Sequence, residues 1–198
     1  MKLVEILNHF ELNKTFDNIA GTDKNTGHSY ISNFYEKEFL NYKDKDISLL
    51  EIGIDCGASL KLWSEYFKNA EKIVGIDIGN YIPPKYKNIK NVTYIFEDAY
   101  NKEVSNKLGT FDIIIDDGPH TLESQIKSIE YYLPKLNENG ILIIEDIQEE
   151  SWLEEFKKQF KITTIQHNIE CSFEVVDLRY NKNRYDDLMF IMRMANKF

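Results

Sequence analysis

No stretch of this chain approaches the ~20 consecutive apolar residues that a membrane-spanning helix needs. The opening residues, Met1-Lys-Leu-Val-Glu-Ile-Leu-Asn-His-Phe10, carry a short apolar stripe broken by Glu5 and Asn8. They lack the uninterrupted hydrophobic region of a signal peptide. Cysteine is nearly absent: Cys56 and Cys171 lie far apart and make no metal-ligand spacing, so a reducing, cytoplasmic setting is expected. Positive charge is short as well. Lys and Arg number 24 against 33 Asp and Glu, a formal net charge of -9, so no excess cation is left to neutralise phosphates and nucleic acid is not an expected partner. Internal repeats and low-complexity segments are missing. What remains is 198 residues at 42% hydrophobic content, enough for one domain with a sizeable core.

Periodicity organises that chain into alternating elements. Leu3, Ile6, Leu7 and Phe10 share one face of a helix over residues 2–12. Residues 16–30, with Gly21, Asp23, Asn25 and Gly27, read as a loop. Tyr30, Phe34, Tyr35 and Phe39 form an aromatic stripe at helical spacing, better read as core packing than as a pocket wall. Strands follow at 47–52, 72–76, 92–96, 113–115 and 141–144, and helices at 59–67, 101–108, 122–133 and 152–160. The tail, Phe173–Leu178 and Leu188–Met192 around a turn at 181–183, is a β-hairpin. Strands alternating with helices predict an α/β, Rossmann-like parallel sheet with helices on both faces. The terminal hairpin adds an antiparallel edge, and that plan is the one of the class I methyltransferase sheet.

In such sheets ligands bind outside the carboxyl ends of the strands, and acids sit there in register. The first strand runs into Glu51-Ile-Gly53-Ile-Asp55-Cys-Gly57, with Ser59 opening the next helix. The loop lacks the third glycine of a dinucleotide fingerprint. It also offers carboxylates where a pyrophosphate needs bare N–H groups. S-adenosylmethionine carries an ammonium and a sulfonium and no phosphate, so an acidic loop suits it better. Asp77 ends the second strand, placed to accept ribose hydroxyls, and Asp98-Ala99 ends the third, near where an adenine would lie. Each acid alone is equally well a turn or cap residue.

The fourth strand, Ile113–Ile115, stops at Asp116-Asp117-Gly118-Pro119-His120, and the fifth stops at Glu145-Asp146. Adjacent strands lie ~4.8 Å apart, so Asp117 and Asp146 can share one hard cation such as Mg²⁺. His120 is then placed to take a proton from a metal-acidified hydroxyl. The plainer alternatives are a turn at Asp-Asp-Gly-Pro and a helix-flanking Glu145-Asp146. Cys56 reads as a small buried hydrophobe, and His9 and His167 as structural.

Gly21-Thr22-Asp-Lys24 with His28 and Tyr30, Leu50-Glu-Ile-Gly53, Ser59-Leu60-x-x-Trp63, Gly75-Ile-Asp77, Ile114-Ile-Asp-Asp-Gly-Pro-His120, Gln125 and Ile144-Glu-Asp146 resemble the metal-dependent macrolide-sugar O-methyltransferases. Asp177-Leu-Arg179 and Arg184-Tyr-Asp-Asp187 fit that pattern too, so the resemblance spans residues 20–192. It implies S-adenosylmethionine as methyl donor and Mg²⁺ held by Asp117 and Asp146, with Glu145 a neighbouring ligand and His120 as base. It implies that Thr22 and Lys24, on a covering loop, join Glu51, Gly53, Gly57, Ser59, Asp77, Asp98, Ala99 and Asp116 on the cofactor side. Residues 1–45 would be N-terminal helices plus that loop, and residues 46–198 the methyltransferase domain, together one compact unit. Pro119 stands where the family has Ser, and the large N-terminal domain of the macrolide enzymes has no counterpart. The expected acceptor is therefore a smaller molecule, a nucleotide-linked sugar or a glycan end, with a homodimer as one way to complete its cavity. The competing readings are a metal-independent small-molecule methyltransferase, a NAD-dependent sugar oxidoreductase or epimerase, and a non-catalytic binding module. The missing third glycine of the dinucleotide fingerprint counts against the oxidoreductase.

Overall fold

Seven short runs rich in Ile, Leu, Val and Phe pair into one sheet in the computed structural model, which describes residues 1–195. The last three positions of the expected 46–198 domain lie outside the described residues. The strands are β1 (Ser48–Ile52), β2 (Lys72–Asp77), β3 (Val92–Phe96), β4 (Phe111–Asp116), β5 (Leu136–Ile144), β6 (Cys171–Asp177) and β7 (Leu188–Met194). Their order is β3-β2-β1-β4-β5-β7-β6, the first five parallel and the last two antiparallel. This is the class I methyltransferase sheet, with β7 slotted between β5 and the edge strand β6.

Alternation along the strands sorts the core into two layers. Leu49, Ile73, Ile113, Ile115, Ile141, Ile143 and Ile191 face one side. There they meet α1 (Leu3–His9), the helical segment 31–41 and α2 (Ala58–Tyr66). Leu50, Val74, Ile76, Ile114, Leu142, Ile144 and Phe190 face the other, against Ile129 and Tyr132 of α4 (Leu122–Tyr132) and Phe156 of α5 (Trp152–His167). A short α3 (Lys102–Lys107) begins at Asn101, whose side chain accepts from the Glu103 amide at 2.8 Å. Burial on both faces explains why these strands read as unbroken apolar runs.

Four elements differ from the sequence expectation, the first being β5, which starts at Leu136 and not at Ile141. α5 continues to His167, past Phe160, although Ile162-Thr-Thr-Ile165 is a weak helix-forming run. Thr163 is fully buried there, so packing overrides propensity, and Asn168 at φ 50° ends the helix. The aromatic stripe is no single α-helix: a π-helical turn at Ile31–Tyr35 precedes one α turn and one 3₁₀ turn. The hairpin turn is a one-turn helix, α6 (Arg179–Lys182), closed by Asn183 at φ 54°.

The strand order reverses between β1 and β4, and this switch point sets the position of the cavity described below. The loops leaving the two strands touch. The Asp117 amide donates to the Ile52 carbonyl at 2.9 Å, and Gly53 adopts φ 79°. A Cβ on Gly53 would lie 2.0 Å from the Asp117 carbonyl oxygen. Gly53→Ala is therefore expected to lose more than the ~1–2 kcal/mol of a left-handed non-glycine residue, because the β4 loop must also move. A urea unfolding midpoint equal to wild type would contradict this.

Candidate active site

A cavity of about 500 Å³ opens at the switch point. Its wall comes from every parallel strand end: Gly53 and Asp55 after β1, Asp77 and Ile78 around the end of β2, Glu97 to Tyr100 after β3, Asp117 to His120 after β4, and Asp146 after β5. The N-terminal segment adds Lys14 and Asp23, brought in by a bridge between Asn13 and Thr22. Seven carboxylates (Asp23, Asp55, Asp77, Glu97, Asp98, Asp117, Asp146) thus face one lysine and one histidine. Such a cavity draws cations and repels phosphates.

At the nucleoside end, Asp77 also organises the loop. Its Oδ2 accepts from the Ile54 and Asp55 amides at 3.0 Å each, and its Oδ1 from the Gly79 amide at 2.9 Å. An ionised carboxylate has about four acceptor sites, so one is left for a ligand. Asp98 is exposed and accepts from the Tyr100 amide at 2.8 Å, and Ala99 is buried in the wall beside it.

At the opposite end Asp117, His120 and Asp146 converge, with ligand atoms within 4.8 Å of one another. His120 Nε2 lies 3.7 Å from Asp117 Oδ1 and 3.6 Å from Asp146 Oδ2. Burial, then the neighbouring Asp117, push the Asp146 carboxyl above its usual range, against the pull of His28 and His120. Oxygen donors held together against their own repulsion fit a hard divalent cation. The backbone is strained here too. Apart from asparagines, four non-glycine residues among the described residues have positive φ, and three of them, Asp55, His120 and Asp146, line the cavity.

Four expected site residues lie elsewhere. Lys24 is buried and is not among the residues that line the cavity. Its Nζ binds Asp117 Oδ2 at 2.7 Å and the Glu145 carboxylate, with Glu51 Oε1 at 3.5 Å. Burial alone lowers the Lys24 pKa, but Asp117, Glu145 and Glu51 together raise it well above the usual value. Glu51 is fully buried, accepts from Trp63 Nε1 at 3.1 Å, and is pushed by burial up to about 7 despite Lys24. Glu145 is not among the converging ligand atoms: a buried carboxylate needs internal partners, and Lys24 and the Tyr35 hydroxyl supply them. Asp116 turns inward, accepting from the Tyr100 hydroxyl at 2.5 Å and the Gly118 amide at 3.2 Å, and burial raises it to about 6. Thr22 and Ser59 line a small recess beside Gly53 and Asp117, while Gly57, at φ 81°, turns the chain into α2.

His28, Tyr30 and Asp187, which carried the resemblance but were given no site role, matter as well. Tyr30, from the aromatic stripe, donates to Asp146 Oδ1, and His28 Nδ1 sits 2.7 Å from Asp187 Oδ1 and 3.3 Å from Asp146 Oδ1. Nothing local marks a packing tyrosine as a carboxylate partner, and the His28–Asp187 pairing spans nearly the whole chain.

Lys24→Met would leave two buried acids, Glu51 and Glu145, and the half-buried Asp117 without their shared cation. Removing one partner of a buried ion cluster costs about 3–5 kcal/mol, and a reversible denaturation curve should show a loss of that size. A loss below about 1 kcal/mol, the range of an exposed ion pair, would mean that Lys24 is not the counter-charge.

Residues 50–147 match the family described as "Methyltransferase domain". A tetracenomycin-C rhamnosyl 2'-O-methyltransferase of Streptomyces olivaceus is 29% identical over 140 residues, 67% of this chain and 36% of the relative. Demethylmacrocin O-methyltransferase of Streptomyces fradiae is 30% identical over 129 residues, 60% of this chain and 32% of the relative. The chain thus spans about a third of the length of the curated relatives it matches. Among solved structures, MycE methyltransferase from the mycinamycin biosynthetic pathway, in complex with Mg and SAH, superposes with a TM-score of 0.71 at 19% identity. That match covers 100% of this chain and 56% of MycE, and it is a likeness of fold. Together, the match over residues 50–147 and the class I sheet that carries it make this chain similar to methyltransferases, the macrolide-sugar O-methyltransferases among them.

Proposed function

We propose that this protein is an S-adenosylmethionine- and Mg²⁺-dependent O-methyltransferase that acts on a sugar hydroxyl, carried by a nucleotide or at a glycan end. One observation carries the reading: the acid-lined cavity at the switch point terminates in Asp117, His120 and Asp146. The names of the relatives, O-methyltransferases of sugar-bearing natural products, support the acceptor class.

The carboxylates divide by position. Asp77, Asp98 and the Ala99 wall receive the nucleoside part of the donor, and the surrounding acids favour its positive charge over a neutral or anionic ligand. Asp117 and Asp146 hold the divalent cation. When bound, S-adenosylmethionine supplies the methyl group and Mg²⁺ supplies Lewis acidity toward the acceptor hydroxyl. His120, beside both carboxylates, accepts the hydroxyl proton at Nε2. The walls hold donor and acceptor in one orientation, which replaces a bimolecular encounter by an aligned one.

A second reading rests on Lys24. Its ammonium already binds Asp117, so a metal-independent methyltransferase would have a built-in cation beneath the acceptor site. The same acid-lined wall disfavours a dinucleotide pyrophosphate and with it the oxidoreductase reading.

Labelled S-adenosylmethionine with Mg²⁺ and a panel of nucleotide sugars should yield a methylated sugar. Transfer that persists undiminished in EDTA would replace the metal reading with the metal-independent one. His120→Ala should lower kcat by about 100- to 10,000-fold, the usual contribution of a general base, while S-adenosylhomocysteine still binds within about two-fold of wild type. Normal turnover in that variant would remove His120 from the proton-transfer role.

A further inference from the structure

Asp146 has two carboxylate oxygens with different surroundings. Oδ2 faces His120 Nε2 at 3.6 Å, on the cavity side. Oδ1 is turned to the N-terminal segment, where the Tyr30 hydroxyl donates to it and His28 Nδ1 stands at 3.3 Å. The Tyr30 ring is only 1% exposed and stacks on His28 with centroids 4.9 Å apart, at 20°. The His28 ring is itself held by Asp187 Oδ1 at 2.7 Å. The Tyr30 hydroxyl has a second possible acceptor, the Asp186 carbonyl at 3.3 Å, which fixes its height above the sheet end.

We propose that Tyr30 is a positioning residue for the divalent-cation site: its hydroxyl holds one oxygen of Asp146 so that the other is presented to the cavity. This rests on the metal-dependent reading above and goes beyond it, since Tyr30 is buried and does not line the cavity. The need for such a residue follows from the backbone. Asp146 sits at φ 53°, in the left-handed region, on the first turn out of β5, where the main chain alone does not hold a side chain firmly. Asp117, the other carboxylate, is steered by the Lys24 ammonium at 2.7 Å from its Oδ2. Each carboxylate is therefore tethered through one oxygen by residues 24–30, and the untethered oxygens meet at His120. Partners that orient metal ligands typically contribute about 10- to 100-fold to metal affinity.

Tyr30→Phe removes only the hydroxyl and keeps the ring. Mn²⁺ is titrated into the protein and free Mn²⁺ is followed by electron paramagnetic resonance, with S-adenosylhomocysteine affinity measured in parallel. The control is Tyr132→Phe, which loses an equally buried hydroxyl bond, to the Ala99 carbonyl at 2.6 Å, away from the cluster. The expected result is a Kd for Mn²⁺ weakened about ten-fold or more in Tyr30→Phe and unchanged in Tyr132→Phe. S-adenosylhomocysteine affinity should stay within about two-fold in both. Equal Mn²⁺ affinity in wild type and Tyr30→Phe, or equal weakening in both variants, overturns the role of Tyr30 while leaving the metal site standing. Failure of the wild type to bind Mn²⁺ overturns the metal reading itself, and the inference with it.

Discussion

The ammonium of Lys24 is the constraint on which the functional end of this molecule depends. It lies buried among Glu51, Asp117 and Glu145, three acids that come from the ends of β1, β4 and β5. Three carboxylates that close repel one another, and burial pushes Glu51 and Glu145 up even beside this cation. One tethered cation lets them stay together and ties the N-terminal segment to three strands at once. Everything nearer the cavity, including the direction of Asp117, is built on that buried pairing.

Topology and charge then act together. The reversal of strand order between β1 and β4 leaves a crevice that helices do not cover. The sequence ends five successive strands in acids, so the crevice is negative throughout. Strand spacing brings Asp117 and Asp146 close enough to share a cation, and Thr121, capping α4, fixes where the β4 loop ends and leaves His120 one residue before the cap. The proposed proton acceptor, cation ligands and donor wall thereby all sit at the ends of sheet strands. The second layer, residues 24–30, and the wall residues Lys14 and Asp23 come from the N-terminal segment outside the sheet.

Much of this was legible beforehand because it is periodic. Buried parallel strands read as short apolar runs, and their carboxyl ends are wherever the run stops, so Asp77, Asp98, Asp117 and Asp146 were visible as strand-end acids. The same reading could not tell which acid faces inward. Asp116 and Asp117 are neighbours with identical side chains, and strand alternation sends the first toward Tyr100 and the second to the cavity edge. Glu51 and Glu145 look like ligand-facing acids by position but are consumed by Lys24, Trp63 and Tyr35. Helix propensity misplaced the end of α5, where burial of Thr163 outweighs β-branching.

The amino-acid sequence by itself determined the sheet, its helical layers, the acidity of the crevice and the triplet Asp117, His120 and Asp146, because period, turn residues and strand ends are local properties. Tertiary structure alone decided the partners: Lys24 with Glu145 across 121 positions, Tyr30 with Asp146 across 116, His28 with Asp187 across 159. A buried charge is stable only beside its counter-charge, and which residues meet there depends on how the N-terminal segment packs onto the sheet ends, which no local pattern encodes.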